Sequence, residues 1–341
     1  MKRKQWLYTA VFLMLIGLTV YTVCSQTTGF TREGFWAYVH AANPIGLIAA
    51  ALCTLAFILL EGLALLTICR ALGFHRRFGQ GIMYSAADIY FSAITPSATG
   101  GQPASAVLMM RDGIPAASAA VALLINLVMY TLSILLMAAV GILIHPRLLK
   151  LFGTASRVLI WVGIGTQAAL LTGLLLLIFR ERMFLKIADW LLKIGHKLRL
   201  IRDIESRKQK YAELRTDYQQ CAGVLHKQWK YMLLGFALNL FQRLSIAMAP
   251  VCVYLATGGE IARAGEAFAA QTVVILGSNA IPLPGAVGVA DYLFLDGYKS
   301  LVQSPVQLEL LSRAISFYSC VILCGVMLLI YAAKQKRRKE R

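Results

Sequence analysis

The chain has 341 residues, of which 58% are hydrophobic and 15% charged, and its formal net charge is +18. A composition this apolar excludes a soluble globular domain. Several runs also reach the roughly 20 apolar residues that cross a bilayer core, so the chain reads as an all-α polytopic membrane protein. The positive charge lies beside those runs, which argues for positive-inside topology and anionic headgroups and against nucleic acid as a partner.

Met1-Lys2-Arg3-Lys4 and the apolar run to Val23 have the outline of a signal peptide. Cys24-Ser25-Gln26 is a poor small-x-small cleavage site, so Leu7–Val23 is read as a retained first span. Five more full spans are expected: Ile45–Cys69, Ala116–Ile144, Val158–Phe179, Tyr231–Ala256 and Val306–Tyr331. Two further hydrophobic segments, Gly81–Met110 and Phe268–Tyr298, are broken by Pro and Gly into legs too short to cross. A backbone break at membrane depth survives only inside protein or beside a watery cavity. Both segments are therefore expected to be re-entrant hairpins; eight ordinary but kinked spans are the alternative. Between the halves, Ile187, Trp190, Leu191, Ile194, Leu198 and Ile201 share one helical face and basic residues lie mainly on the other. This predicts an amphipathic helix in the inner headgroup plane, as a lipid contact or a solvated topology anchor.

Charge orients the map. With the N-terminus inside, cytoplasmic stretches hold Lys2 to Lys4, Arg70, Arg76, Arg77, Arg111, the block from Arg180 to Lys230 and the tail from Lys334 to Arg341. Outside stretches hold only Arg32, Arg147, Lys150, Arg157, Arg263 and Lys299. Both termini are then cytoplasmic, and the two hairpins enter from opposite faces. Two spans, a hairpin and one span recur with opposite orientation, an inverted repeat of the kind secondary transporters use. Residues 1–182 hold the first repeat, with the fourth span belonging by symmetry to the second. Residues 183–230 form a cytoplasmic linker, and 231–341 complete the second repeat with a basic tail.

No catalytic residue is expected: the chain lacks a P-loop, a Gly-x-Ser-x-Gly elbow and a His-Glu-x-x-His pair. Neither a metal site nor a cofactor is expected, and the cysteines, including Cys320 and Cys324 on one helix face, are expected to be free thiols. The second leg of each hairpin starts a helix near the midplane, where unpaired N–H groups carry a partial positive charge. Pro96, Gly100, Gly101 and Gln102 in the first break, and Pro284, Gly285 and Gly288 in the second, are therefore candidate contacts for a phosphate. Alternatively, the glycines serve only hairpin packing. Alanine at Gly101 or Gly285 is expected to be accommodated, because Ala286 already stands in the second break. Arg243 lies at mid-span with Asn239 and Gln242 beside it; it holds a lipid phosphate or pairs with a carboxylate. Candidate carboxylates are Glu61, Asp88 and Asp291, each equally a proton site, and Asp291 is also a candidate ligand contact. Arg313 is expected to snorkel from a span end, and Asn126 and Gln167 to hydrogen-bond between helices.

Thr95-Pro96-Ser97-Ala98-Thr99-Gly100-Gly101-Gln102-Pro103, with Arg111-Asp112-Gly113-Ile114 downstream, resembles the first motif of the lysylphosphatidylglycerol synthase transmembrane-region family of flippase-like bacterial proteins. Pro284-Gly285-Ala286-Val287-Gly288-Val289-Ala290-Asp291 is similar to that family's Pro-Gly-Gly-x-Gly-x-x-Glu motif, with Ala286 for the second glycine and Asp291 for the glutamate. The resemblance implies a multi-pass protein of the bacterial inner membrane that moves a phosphate-bearing, possibly aminoacylated, phospholipid between leaflets. Some members carry a soluble domain that aminoacylates phosphatidylglycerol, and such proteins help bacteria resist cationic peptides. The sequence ends at Arg341 without room for that domain, so lysyltransferase activity is not expected of it alone. The alternative is a non-transporting membrane partner of a separate lipid-modifying enzyme.

Overall fold

The computed structural model describes residues 32–95, 98–179, 228–279, 281, 286 and 288–339. The expected first span Leu7–Val23, the linker before residue 228, and Pro96, Pro284 and Gly285 lie outside the described residues. The described residues are helical throughout, with no strand among them. In chain order the helices are α1 (Arg32–Ala41), α2 (Pro44–Ala71), α3 (Phe78–Ile94), α4 (Gly101–Arg111), α5 (Ala116–Ile144), α6 (Thr154–Phe179), α7 (Trp229–Ala256), α8 (Ala264–Ser278), α9 (Val289–Tyr298), α10 (Pro305–Arg313) and α11 (Ser319–Lys339). Ala314–Tyr318 form a π turn that joins α10 to α11 into one continuous rod.

Five of these rods are long and apolar enough to cross a membrane: α2, α5, α6 up to Leu176, α7 and the α10–α11 rod up to Gln335. They match the five expected spans after the first, with α2, α6, α7 and α10 each starting one to four residues earlier than expected. Their apolar side chains are exposed in large numbers, among them Ile45, Leu52, Leu143, Trp161, Phe241 and Leu329. On a membrane protein such a surface faces hydrocarbon. The sequence sets the starts locally: Asn43 accepts the Ile45 N–H and Pro44 occupies the first turn of α2.

α2 and α7 form the central seam and run antiparallel. Gly46 near the start of α2 lies against Ala256 at the end of α7, Glu61 meets Gln242 midway, and Gly235 near the start of α7 lies by Ile68. Glycine lets the backbones close up where no hydrophobic force separates helix from lipid. A second such contact, Gly62 on Gly81, sets α3 against α2.

The two broken segments each fold as a short antiparallel helix pair. In the first, α3 and α4 are tied at their base by the Tyr84 hydroxyl, which donates to Asp112 Oδ2 at 2.6 Å. In the second, the Tyr298 hydroxyl of α9 donates to the Ala267 carbonyl of α8 at 2.8 Å. α3 packs on α2 and α11, and α8 packs on α6, α5 and α7.

The breaks have a backbone cause. Thr95 is extended, as the residue before a proline prefers. Ala98 then takes φ +54°, while Ala286 takes φ +53° and Gly288 +87° in the second break. Left-handed backbone costs a residue bearing a Cβ about 1–2 kcal/mol, so both alanines are strained. Ala286 stands where the resembling motif has its second glycine, and that glycine would relieve the strain.

Arg313 does not snorkel. It is 7% exposed and lies among Asp291, Glu309 and Phe317. The counter-charges are inside the protein, one of them a turn earlier on its own helix, so its charge has no need to reach the interface.

Candidate functional site

Arg243 lies in the middle of α7, in the apolar stretch of that helix. About 13 residues, or roughly 20 Å of helix, lie on either side of it. Its guanidinium stacks on the Tyr130 ring of α5 at 4.1 Å and the Phe57 ring of α2 at 4.9 Å. Each such contact offsets about 0.5–2 kcal/mol of the cost of a charge at that depth. Its Nε donates to Gln242 Oε1 at 3.2 Å. Among the described residues Arg243 makes no carboxylate ion pair, and its remaining N–H donors have no acceptor. The side chain is half-buried, so these donors are reachable.

Acids flank this cation without saturating it. Glu61 and Asp88 are 5% and 7% exposed. Glu61 Oε2 accepts from Gln242 Nε2 at 2.9 Å, and the other face of Gln242 accepts from Arg243. The Glu61 and Asp88 carboxyls are close enough to interact, and both feel the charge of Arg243. Asp88 Oδ1 also accepts from Ser92 Oγ at 3.3 Å. One turn before Gln242 and Arg243, Asn239 donates to Asn126 Oδ1 at 2.9 Å, which joins α7 to α5 as expected of Asn126. From the other side, Asn279 at the end of α8 donates to the Tyr130 hydroxyl at 3.3 Å. Tyr130 thus links the second break to the arginine it stacks upon.

Of the expected site residues in the first break, Gly100 donates its N–H to Thr95 Oγ1 at 2.8 Å. Gly101 is buried against α3. A Cβ there would overlap Asp88 Oδ1 and Ser92 Oγ and lie 2.6 Å from the Asp88 backbone oxygen. Alanine at Gly101 is therefore not accommodated as expected, because the space a methyl needs is filled by the acid beside Arg243. Gln102 is half-buried, and its side chain makes no hydrogen bond to a described residue.

Asp291 and Gly288 lie in a second, separate cluster. Asp291 is fully enclosed, and its Oδ2 accepts the Gly288 N–H at 2.8 Å, capping the start of α9. Its Oδ1 forms a close ion pair with Arg313 Nε, which also donates to Glu309 Oε1 at 3.0 Å. Both clusters combine two acids with one arginine. In the second, the arginine is paired with both acids; in the first, with neither.

Sequence reasoning missed Tyr130, Asn279, Ser92 and Glu309. Glu309 carried a usable signal, since it stands four residues before Arg313 on a helix. Tyr130 carried none, because an aromatic within an apolar span has no distinguishing pattern. Gln167 is buried, but its Oε1 has no hydrogen-bond partner among the described residues. Cys53, Cys69, Cys252, Cys320 and Cys324 are free thiols, and no metal-binding group of His, Cys, Asp or Glu occurs among the described residues.

Long lipid-facing helices around a mid-depth polar cluster define a multi-pass α-helical membrane protein. The chain belongs to the family described as the lysylphosphatidylglycerol synthase transmembrane region, whose model matches residues 5–324. No curated protein matches it.

Proposed function

We propose that the protein is a lipid translocator of the bacterial inner membrane. A phosphate-bearing headgroup enters between the two halves while its tails remain in the bilayer, and Arg243 holds the phosphate. The observation that carries this reading is a mid-span guanidinium, held in place by two aromatic rings, that pairs with no carboxylate among the described residues. Arg313, by contrast, has two buried acids against its Nε, which neutralise its charge within the fold. A planar fork of donors suits a phosphate diester.

The helix pairs are re-entrant hairpins in this reading, and the halves form an inverted repeat. The antiparallel α2–α7 seam supports this, as does the exchange of neighbours between α3 and α8. In this arrangement the two helix starts enter from opposite faces. They are not equivalent, because Asp291 already occupies part of the α9 start. Both termini and the basic linker are cytoplasmic, where lysine and arginine concentrate.

The test is reconstitution in vesicles carrying a headgroup-labelled fluorescent phosphatidylglycerol, with dithionite bleaching of the outer leaflet. Wild-type protein gives complete bleaching, Arg243→Ala gives only half, and Arg243→Lys is intermediate because lysine keeps the charge without the fork. Wild-type vesicles that bleach only by half would overturn translocation and favour a non-transporting partner of a lipid-modifying enzyme.

A further inference from the structure

We propose that the Glu61–Asp88 pair is a proton site linked to phosphate occupancy at Arg243, so that lipid movement carries a proton with it. This rests on the translocator reading and adds the ion that accompanies the lipid. The geometry is a relay of three groups. Glu61 of α2 and Asp88 of α3 are buried on packed helices close enough to interact, and Gln242 bridges Glu61 to Arg243 at 2.9 and 3.2 Å. Two carboxylates this close cannot both keep their charge in a low-dielectric site without a counter-ion. The cation that could serve, Arg243, is held by Tyr130 and Phe57 beyond ion-pair distance of both.

Among the described residues, few other ionisable or charged groups face the pair. Cys320 and Cys324 approach Glu61 from α11, and Tyr130 of α5 stands across Arg243. α4 contributes Gly101, and its one charged side chain, Arg111, lies in its last turn. None of these supplies a second positive charge. A phosphate arriving at Arg243 takes up its field and adds a negative charge beside two acids. Protonation of the pair then becomes more favourable, and by reciprocity a protonated pair binds phosphate more tightly. The step is simple: a proton from water forms one O–H bond on the pair, and nothing is oxidised or reduced. A singly charged phosphate diester and one proton move together as a neutral load.

The test measures proton uptake on binding, by calorimetry of purified full-length protein in buffers of different ionisation enthalpy. Two probes are used: short-chain phosphatidylglycerol and dimethyl phosphate, a diester that does not titrate near neutral pH. The expected result is uptake that approaches about one proton per bound phosphate at alkaline pH, where the free pair has given up its proton, with affinity falling up to about tenfold per pH unit there. Uptake with both probes assigns recognition to the phosphate itself; uptake with the lipid alone assigns it to the membrane-anchored headgroup. Asp88→Asn and Glu61→Gln should bind with no uptake and a flat pH profile. Wild-type binding with no uptake and no pH dependence overturns the proton site and leaves the translocator intact. If neither probe binds the wild type, both readings fall.

Discussion

Gly101→Ala puts the packing of the first break to the test at one atom. The added methyl would overlap Asp88 Oδ1 and Ser92 Oγ and sit 2.6 Å from the Asp88 backbone oxygen. The two side-chain atoms can rotate away, but the carbonyl cannot. α3 and α4 must therefore part by roughly half an ångström or more, against a tie at their base between Tyr84 and Asp112. Overpacking of this kind costs about 1–3 kcal/mol. At about 2–4 °C per kcal/mol the midpoint of thermal unfolding should fall by roughly 2–12 °C. The assay is thermal unfolding of the purified protein in detergent, followed by reactivity of the buried thiols Cys69, Cys320 and Cys324. Phosphate binding should weaken as well, because the methyl displaces the Asp88 carboxyl from Glu61. A variant with the wild-type midpoint and affinity would show that Gly101 does not hold α4 against Asp88, and the assignment of Asp88 to the site would lose its main support.

Other substitutions give different signs and sizes. Ala286→Gly should raise stability by up to about 1 kcal/mol, since Ala286 sits at φ +53° where glycine carries no penalty; an unchanged or lower midpoint would count against left-handed backbone there. Arg313→Ala should cost about 3–5 kcal/mol and sharply reduce the yield of folded protein, because it strands Asp291 and Glu309 without a counter-charge. Arg243→Ala should be recovered in normal amounts, because no buried acid depends on it for an ion pair. Equal yields of the two arginine variants would refute this division. In vesicles, a pH gradient should drive a diester phospholipid, while an imposed potential of 100 mV, worth about 2.3 kcal/mol per net charge, should not.

The long helices were legible because each needs only a run of apolar residues, and five of the six expected spans coincide with helices long enough to cross. The breaks were legible because proline and glycine act locally, through the residue before Pro96 and the turn before α9. What each polar group faces was not legible. Arg243 and Arg313 look alike as single charges within apolar runs, yet one is enclosed by acids from two helices and the other by rings from two more. Tertiary packing alone decides that Asp291 reaches Arg313 across 22 positions of sequence, and that Asn279 reaches Tyr130 from the far pair. The glycines were read for ligand access, whereas Gly101 is filled from within by its own neighbour.

The contrast between the two arginine clusters separates what holds this fold from what it does. Around Arg313, every charge has a partner: Asp291 caps α9 with one oxygen and meets Arg313 with the other, and Glu309 closes the set from one turn away. Such a cluster fixes the second helix pair to the final rod and resists any change in their relation. Arg243 instead pairs with neither of the acids near it and is held by two aromatic rings and Gln242. Buried polar groups left partly unsatisfied destabilise a fold, so a cluster of this kind persists only if something else completes it. In this membrane the two complements it lacks are an anion for the guanidinium and a proton for the carboxyls. A phosphate diester with one proton supplies both and leaves no net charge to carry across the bilayer. In the proposed reading the Arg313 cluster belongs to the frame, and the seam of α2, α3 and α7 holds lipid and proton together.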